Sequence, residues 1–290
     1  LEEEQKANKF PEYCNEKGIT VIRVRTLPHH KVNFIVRGIS QLTLSLFLMM
    51  KLKKYIDKKI DAVIVYSPPL PLWKIGYWIK KRSGARFILN VQDIFPQNAI
   101  DLGVLKNQLL IQFFKRMELK AYESADVVTV HSEGNAALLL QEKKVSEDKV
   151  TVLHNWVDVD SLGRNRQGNE FRNEFNLADK FIVFFGGVIG PSQGLTFIVE
   201  IARKIKEYSD IVFLVVGDGT EKERLTKMVE NDNLKNVLFH PFISKEEYAK
   251  LLSEVDVGLV CLSSLNKTPV VPGKLLSYMA AGIPVLAFLN

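Results

Sequence analysis

The chain has 290 residues, 47% of them hydrophobic and 25% charged, a length that suits two domains better than one core. This balance excludes a disordered or fibrous polypeptide. Two cysteines 247 positions apart, Cys14 and Cys261, exclude a disulfide scaffold and a cysteine-based zinc site and suit a reducing compartment.

The net charge of +6 is unevenly placed, since residues 17–86 carry fifteen basic side chains against only Asp57 and Asp61. A field of that sign attracts an anion, such as a phosphate ester or a membrane surface, or is simply a solvated basic face. Nucleic acid is not expected, because no aromatic pattern accompanies the charge. In chain order, apolar runs predict strands at Thr20–Val24, Ala62–Tyr66, Arg86–Val91, Val127–Val130 and Val150–Leu153. A second set follows at Phe181–Phe185, Ile211–Val216, Val237–Phe239, Val257–Cys261 and Pro284–Phe288. Helical patterns separate them at Leu70–Arg82, Leu105–Tyr122, Leu195–Tyr208, Glu221–Glu230, Lys245–Ser253 and Lys274–Ala281. Nearly continuous apolar strands alternating with helices indicate an α/β protein with doubly wound parallel sheets. The polar stretch 159–179 breaks that rhythm and divides the chain into domains at 1–158 and 180–290, with a short helix near Glu170–Phe175. Residues Gly38–Met50 carry no charge and end in Lys51, Lys53 and Lys54. Thirteen residues are too few to span a bilayer. The segment reads as a long helix packed on its domain, or as one lying in a membrane interface.

Three glycine-containing segments carry candidate chemistry. Gly186-Gly187-Val188-Ile189-Gly190-Pro191-Ser192-Gln193-Gly194 runs from a strand into a helix, where glycines let backbone N–H groups approach an anion. It fits neither a dinucleotide fingerprint nor a P-loop. Gly217-Asp218-Gly219 follows the next strand, and Asp218 either faces a ligand or caps a helix near Thr220. In Pro272-Gly273-Lys274-Leu275-Leu276-Ser277-Tyr278, Pro272 suits a first helical turn, and Gly282 and Pro284 end the helix. A cation in that first turn, Lys274, opposes the helix dipole unless it shares an anion. In the first half, Gln92 and Asp93 lie just past a strand, where a carboxylate can orient or deprotonate a hydroxyl or cap a turn before Pro96. His131-Ser132-Glu133-Gly134-Asn135 follows another strand as a second polar cluster. No metal-ligand spacing is present.

These segments, with Ser124–Ser132, His154–Asp158 and His240-Pro241-Phe242, resemble glycosyltransferase family 4 in order and spacing through most of the chain. The wording of Asp93–Gln97 and Gly186–Gly194 resembles most the branch that builds bacterial O-antigens, capsules and exopolysaccharides, including N-acetylfucosamine transferases. The resemblance implies the GT-B fold, two Rossmann-like domains facing across a cleft, with an edge of each domain truncated in this chain. It implies a retaining, metal-independent hexosyl or N-acetylhexosaminyl transferase (EC 2.4 class) with no cofactor. The sugar would pass from a nucleotide diphosphate-sugar, a UDP-sugar, to a lipid-linked saccharide. The enzyme would sit at the cytoplasmic, inner face of the plasma membrane, held to anionic lipid.

By position, Gly186, Gly187, Gln193, Gly217, Asp218 and Gly219 would border the nucleotide and diphosphate, and Phe242 the base. Pro272, Gly273, Lys274 and Leu275 would meet the diphosphate or sugar, Ser277 a ribose hydroxyl, and Asp93 the acceptor. The Gly187 and Gly273 amides would join Lys274 in stabilising the departing diphosphate. The chain departs from the family pattern where two carboxylates often stand, with Pro269 and Ser277 there instead. It also departs at a basic pair of the first glycine loop, replaced by Gly187 and Gln193. A UDP-sugar 2-epimerase of the same architecture and a degenerate membrane-bound partner subunit stay open beside the transferase.

Overall fold

A computed structural model of the chain describes residues 11–28, 34–56, 60–162 and 168–289. The fold divides into two compact units, residues 1–96 with 107–153, and residues 97–106 with 154–290.

The first unit opens with a hairpin rather than a core strand. Strands β1 (Tyr13–Glu16) and β2 (Ile19–Ile22) pair only with each other, antiparallel, so the expected strand Thr20–Val24 does not join the main sheet. The reason is local: Lys17 and Gly18 both take positive φ (51° and 86°), the two-residue turn that matches strand twist, and Asn15 Oδ1 accepts the Gly18 N–H. Helix α1 (Phe34–Leu52) then runs for 19 residues, and its Leu48, Met49 and Leu52 pack beside Ile75 and Ile79. No helix among the described residues is long and apolar enough to cross a membrane.

The main sheet of this unit has four parallel strands in sequential order: β3 (Ala62–Ser67), β4 (Arg86–Val91), β5 (Val127–Val130) and β6 (Val150–Val152). Between them in the chain lie α2 (Trp73–Ser83), α4 (Gln108–Ser124) and α5 (Glu133–Gln141) of this unit, and α3 (Gln97–Asp101), which belongs to the second. Helix α4 starts three residues later than the periodicity predicts, because Asn107 accepts the N–H groups of Leu109 and Leu110 and so caps it. The expected polar cluster at 131–135 is largely the start of α5, with Ser132 capping through the Asn135 N–H.

The second unit is a five-stranded parallel sheet, order β11-β10-β7-β8-β9, built from β7 (Phe181–Gly186), β8 (Ile211–Val216), β9 (Val237–His240), β10 (Val257–Cys261) and β11 (Val285–Phe288). Helices α7 (Thr196–Lys204), α8 (Lys222–Asn231), α9 (Lys245–Glu254) and α10 (Gly273–Ala280) connect them. Alternate residues of β7 feed opposite cores: Ile182 and Phe184 on one face, Val183 and Phe185 on the other. Coverage on both faces is why these strands read as unbroken apolar runs. The stretch expected to be a linker instead contributes Leu162, Phe171 and Leu177 to this core, with Phe171 on the short helix α6 (Glu170–Glu174).

Arg172 of α6 ties three starting points together. Its guanidinium reaches Asp256 at 2.8 Å, the Glu254 carbonyl at 2.7 Å and the Lys180 carbonyl at 2.8 Å, while Asp256 also accepts the Ile182 N–H at 2.7 Å. Arg172→Ala should therefore lower unfolding free energy by about 2 kcal/mol, the scale for stripping partners from a part-buried charged network. Urea denaturation checks this.

Candidate functional site

Strand order in the second unit reverses at β7. The chain moves outward through β8 and β9, returns by α9 to β10 on the other side of β7, and continues to β11. Ligands of open α/β sheets collect beyond the carboxyl ends of strands at such a reversal. The two glycine turns and the start of α10 follow β7, β8 and β10 there.

The two turns are pressed together backbone to backbone. A Cβ on Gly217 (φ 150°) would stand 1.9 Å from the Gly187 carbonyl oxygen, and one on Gly219 (φ 157°) 2.2 Å from that of Ile189. The Ile189 N–H donates to the Asp218 carbonyl at 2.8 Å, and Glu221 N–H to the Ile189 carbonyl at 3.0 Å. These glycines are thus required by the fold whether or not a ligand is bound. The Gly187 N–H extends the β7–β8 ladder to the Val216 carbonyl at 2.9 Å, so this amide is spent internally and does not serve the anion as expected. Asp218 does not cap α8, whose N-cap is Glu221; its carboxylate accepts the Gly219 N–H at 2.8 Å within its own turn.

Lys274 lies across this junction from the first turn of α10. Its Nζ donates to Gln193 Oε1 at 2.5 Å and stands 4.6 Å above the centre of the Phe185 ring; its Cε lies near Gly187, where a Cβ would be 3.6 Å away. Burial pulls its pKa down to about 8, with the neighbouring Cys261 pulling weakly the other way; burial likewise pushes the Cys261 thiol up to about 12. Among the described residues no ion pair holds Lys274. Pro272 is the N-cap of α10 and offers no side-chain cap; the first bond of the turn is Leu275 N–H to the Pro272 carbonyl. A half-buried ammonium beside an uncapped helix start is a place for an anion.

Tyr278, four residues on, is the residue that motif reading passes over. It is fully buried; its hydroxyl accepts the Gly186 N–H at 3.2 Å and faces the Phe184 carbonyl at 3.4 Å. Gly258 makes room for its ring, since a Cβ there would stand 2.5 Å from it. Tyr278 thereby locks α10 to the end of β7 and fixes where Lys274 starts. The available signal was its i+4 spacing from Lys274, which places both on one helix face. Leu275 packs against the same core. Ser277 lies near Tyr248, whose phenol is raised by burial to about 12 while Ser277 draws it back. Phe242 stands exposed past β9, whose last carbonyl, that of His240, accepts the Gly217 N–H at 2.9 Å. The loop before α10 is also tied in, with Asn266 Nδ2 and Ser263 N–H both donating to the Ser192 carbonyl.

In the first unit, Asp93 lies past β4 and His131 past β5, on neighbouring strands. Each senses the other: burial raises the Asp93 carboxyl while His131 draws it back, and burial lowers the His131 imidazole against a Val91 backbone hydrogen bond and the Asp93 charge. His131 belongs beside Asp93 as a candidate functional residue. Gln92 donates to Asn90 Oδ1 at 2.6 Å beneath them.

The family model described as Glycosyltransferase Family 4 matches residues 8–161, and that described as Glycosyl transferases group 1 matches residues 167–289. The chain belongs to glycosyltransferase family 4. It is 29% identical over 246 residues to WcaI of Escherichia coli K12, a glycosyl transferase named for colanic acid biosynthesis, covering 82% of this chain and 59% of that protein. WbjE of Pseudomonas aeruginosa, named as a glycosyltransferase, is 26% identical over 90% of this chain and 65% of its own length. The chain thus spans about three fifths of these relatives. Anabaena Alr3699/HepE, solved with UDP, shares the fold at TM-score 0.64 and 15% identity, covering 86% of this chain and 64% of that one. The fold is GT-B, α/β with parallel sheets in two Rossmann-like halves.

Gly217→Ala tests the glycine junction directly. The added methyl meets a carbonyl oxygen rather than a side chain that can move, in a backbone region closed to alanine. We expect a loss of more than about 3 kcal/mol or failure to fold, measured by thermal denaturation against Gly273→Ala, whose Cβ meets nothing within 4 Å.

Proposed function

We propose that this chain is the core of a retaining glycosyltransferase. It moves a sugar from a nucleotide diphosphate-sugar, a UDP-sugar, to a hydroxyl of a lipid-linked saccharide during bacterial surface-polysaccharide assembly. The observation that carries the reading is Lys274, a half-buried ammonium with neutral neighbours, standing on an uncapped helix start at the β7/β10 reversal. A diphosphate supplies the negative charge that arrangement lacks. The UDP bound to HepE and the polysaccharide role in WcaI's name support the donor and the pathway class.

In this reading the bond between the sugar's anomeric carbon and the diphosphate oxygen breaks as charge gathers on that oxygen. Lys274 and the first-turn N–H groups of α10 meet that charge without a metal. Tyr278 holds the helix that carries them. The acceptor oxygen forms its bond on the same face of the sugar, and its proton leaves with the departing phosphate. Asp93, with His131 beside it, orients that hydroxyl. Phe242 offers an exposed ring to the base. The acceptor is lipid-borne, so the enzyme works at the anionic cytoplasmic face of the membrane, and N-acetylfucosamine is among the sugars to screen.

Lys274→Ala should lower transfer from a UDP-sugar by about 10²-fold, the scale for one charge-stabilising donor. Asp93→Asn should lower it by about 10²-fold or more while leaving UDP affinity unchanged, because Asp93 belongs to the acceptor side. Unchanged turnover in Lys274→Ala overturns the reading. Donor incubated alone separates the rivals: an isomerised sugar identifies an epimerase, and absence of UDP binding by calorimetry identifies a silent subunit.

UDP affinity should also depend on pH with a defined sign. Below the Lys274 pKa of about 8 the ammonium is charged and affinity is level. Above it the free protein must first take up a proton, so Kd should rise by up to about tenfold per pH unit. Lys274→Arg, charged throughout, should remove that slope.

A further inference from the structure

The segment that leaves β6 carries three outward side chains that the mechanism above does not use. From Leu153 to Asp158 the chain has no regular structure, yet its exposure alternates: Asn155 and Val157 are half-buried, while His154, Trp156 and Asp158 are exposed. A period of two belongs to extended backbone and sets the three on one side, about 7 Å apart. The Trp156 indole is 76% exposed, whereas the other two tryptophans, Trp73 and Trp78, are half-buried. No aromatic ring among the described residues stacks on it. Three anchors hold the row. The Leu153 N–H donates to the Val130 carbonyl at 2.7 Å, Val157 packs against the core of the second unit, and the Ser161 hydroxyl donates to the Asp158 carbonyl at 2.8 Å. A single exposed aromatic is ordinary on a protein surface. One held in place between an imidazole and a carboxylate is equipped for recognition.

We propose that Trp156 is a platform for a pyranose ring, with Asp158 and His154 bonding to hydroxyls at its rim. A pyranose has a face of C–H groups, apolar and slightly positive, and a rim of hydroxyls. The face of an indole is apolar and negative, so the two stack. A carboxylate accepts from two hydroxyls at once, and an imidazole donates or accepts. Asp158 and the exposed Asp160 make this row negative. That charge disfavours a phosphate-bearing ligand such as the donor's nucleotide and suits a neutral polyol.

Chain topology relates the platform to Asp93. Strands β4, β5 and β6 are parallel neighbours, so their carboxyl ends share one edge of the sheet. Asp93 follows β4 by two residues, His131 follows β5 by one, and Trp156 follows β6 by four. Four residues reach at most about 14 Å from a strand end. The sugar on Trp156 is then part of the acceptor saccharide, held on the edge where Asp93 orients the hydroxyl. This step rests on the proposed function; the binding of a sugar ring by Trp156 does not.

The test is saturation-transfer NMR of the full chain with N,N′-diacetylchitobiose, with maltose, and with glycerol, a polyol that lacks a ring face. The wild type should transfer saturation to the ring C–H protons of at least one disaccharide and not to glycerol. Trp156→Ala should cut that transfer at least about tenfold, and Trp156→Phe should keep most of it, because the aromatic face is what stacks. Asp158→Asn should weaken binding severalfold through loss of charge-assisted hydrogen bonds. Both positions are exposed, so thermal midpoints should stay at the wild-type value. In transfer from a UDP-sugar to a lipid-linked saccharide, Trp156→Ala should raise the acceptor KM at least about tenfold and leave UDP affinity at the wild-type value. No transfer of saturation in the wild type, transfer that persists in Trp156→Ala, or equal transfer to glycerol overturns the platform. An acceptor KM that Trp156→Ala leaves unmoved, with disaccharide binding lost, overturns the acceptor assignment. UDP binding is measured separately by calorimetry: its absence sinks the donor reading and leaves the disaccharide result standing.

Discussion

The close approach of two backbone turns governs the second unit. Gly217 and Gly219 allow the carbonyls of Gly187 and Ile189 to come within a distance that no side chain tolerates, and the parallel register of β7 and β8 holds them there. With no side chains filling that junction, the stem of Lys274 can cross from α10 and place its ammonium over Phe185. An amide oxygen and an aromatic face stabilise an ammonium less than a carboxylate does. The site is therefore short of negative charge, and burial expresses that shortage as a pKa near 8. In the proposed function a diphosphate is the complement that removes it.

The arrangement also accounts for a departure from the family pattern. The first glycine loop has Gly187 and Gln193 where the resemblance leads one to expect basic side chains. In the folded chain Gln193 is the residue that holds Lys274, and Gly187 is the residue that leaves space for it. A positive charge thus reaches these loop positions from the neighbouring helix. Tyr278 makes that placement dependable, because its hydroxyl is bound at Gly186, the last residue of β7. A charge delivered by a helix is only as well placed as the helix itself, and this one is pinned within a single turn of the lysine.

Much of this is legible in the sequence. Ten apolar runs marked the strands of the two sheets, and nine of them lie where expected, because a strand covered on both faces must be apolar throughout. The exception, residues 20–24, pairs in a hairpin instead, a choice made by positive φ at Lys17 and Gly18 that hydropathy does not report. Helix starts at Asn107 and Ser132 were obscured for a related reason. Capping depends on one side-chain oxygen reaching two or three residues ahead, whereas periodicity averages over whole turns.

Sequence alone determined the class of fold, the division into two α/β halves and the three glycine-bearing turns, since each follows from local periodicity, backbone freedom and spacing along the chain. It also singled out Lys274, because a cation in a first helical turn is locally unfavourable. Only the tertiary structure decided what those groups do. It spent the Gly187 N–H on a sheet carbonyl, turned Asp218 into its own turn, set Ser277 near Tyr248, and brought Gln193 to Lys274 from 81 residues away. It also set His131 beside Asp93. Apart from the Asp218 turn, each of these is a pairing between segments distant in sequence. A hydrogen-bonding group's availability is settled by its partner across the fold, and no local pattern carries that information.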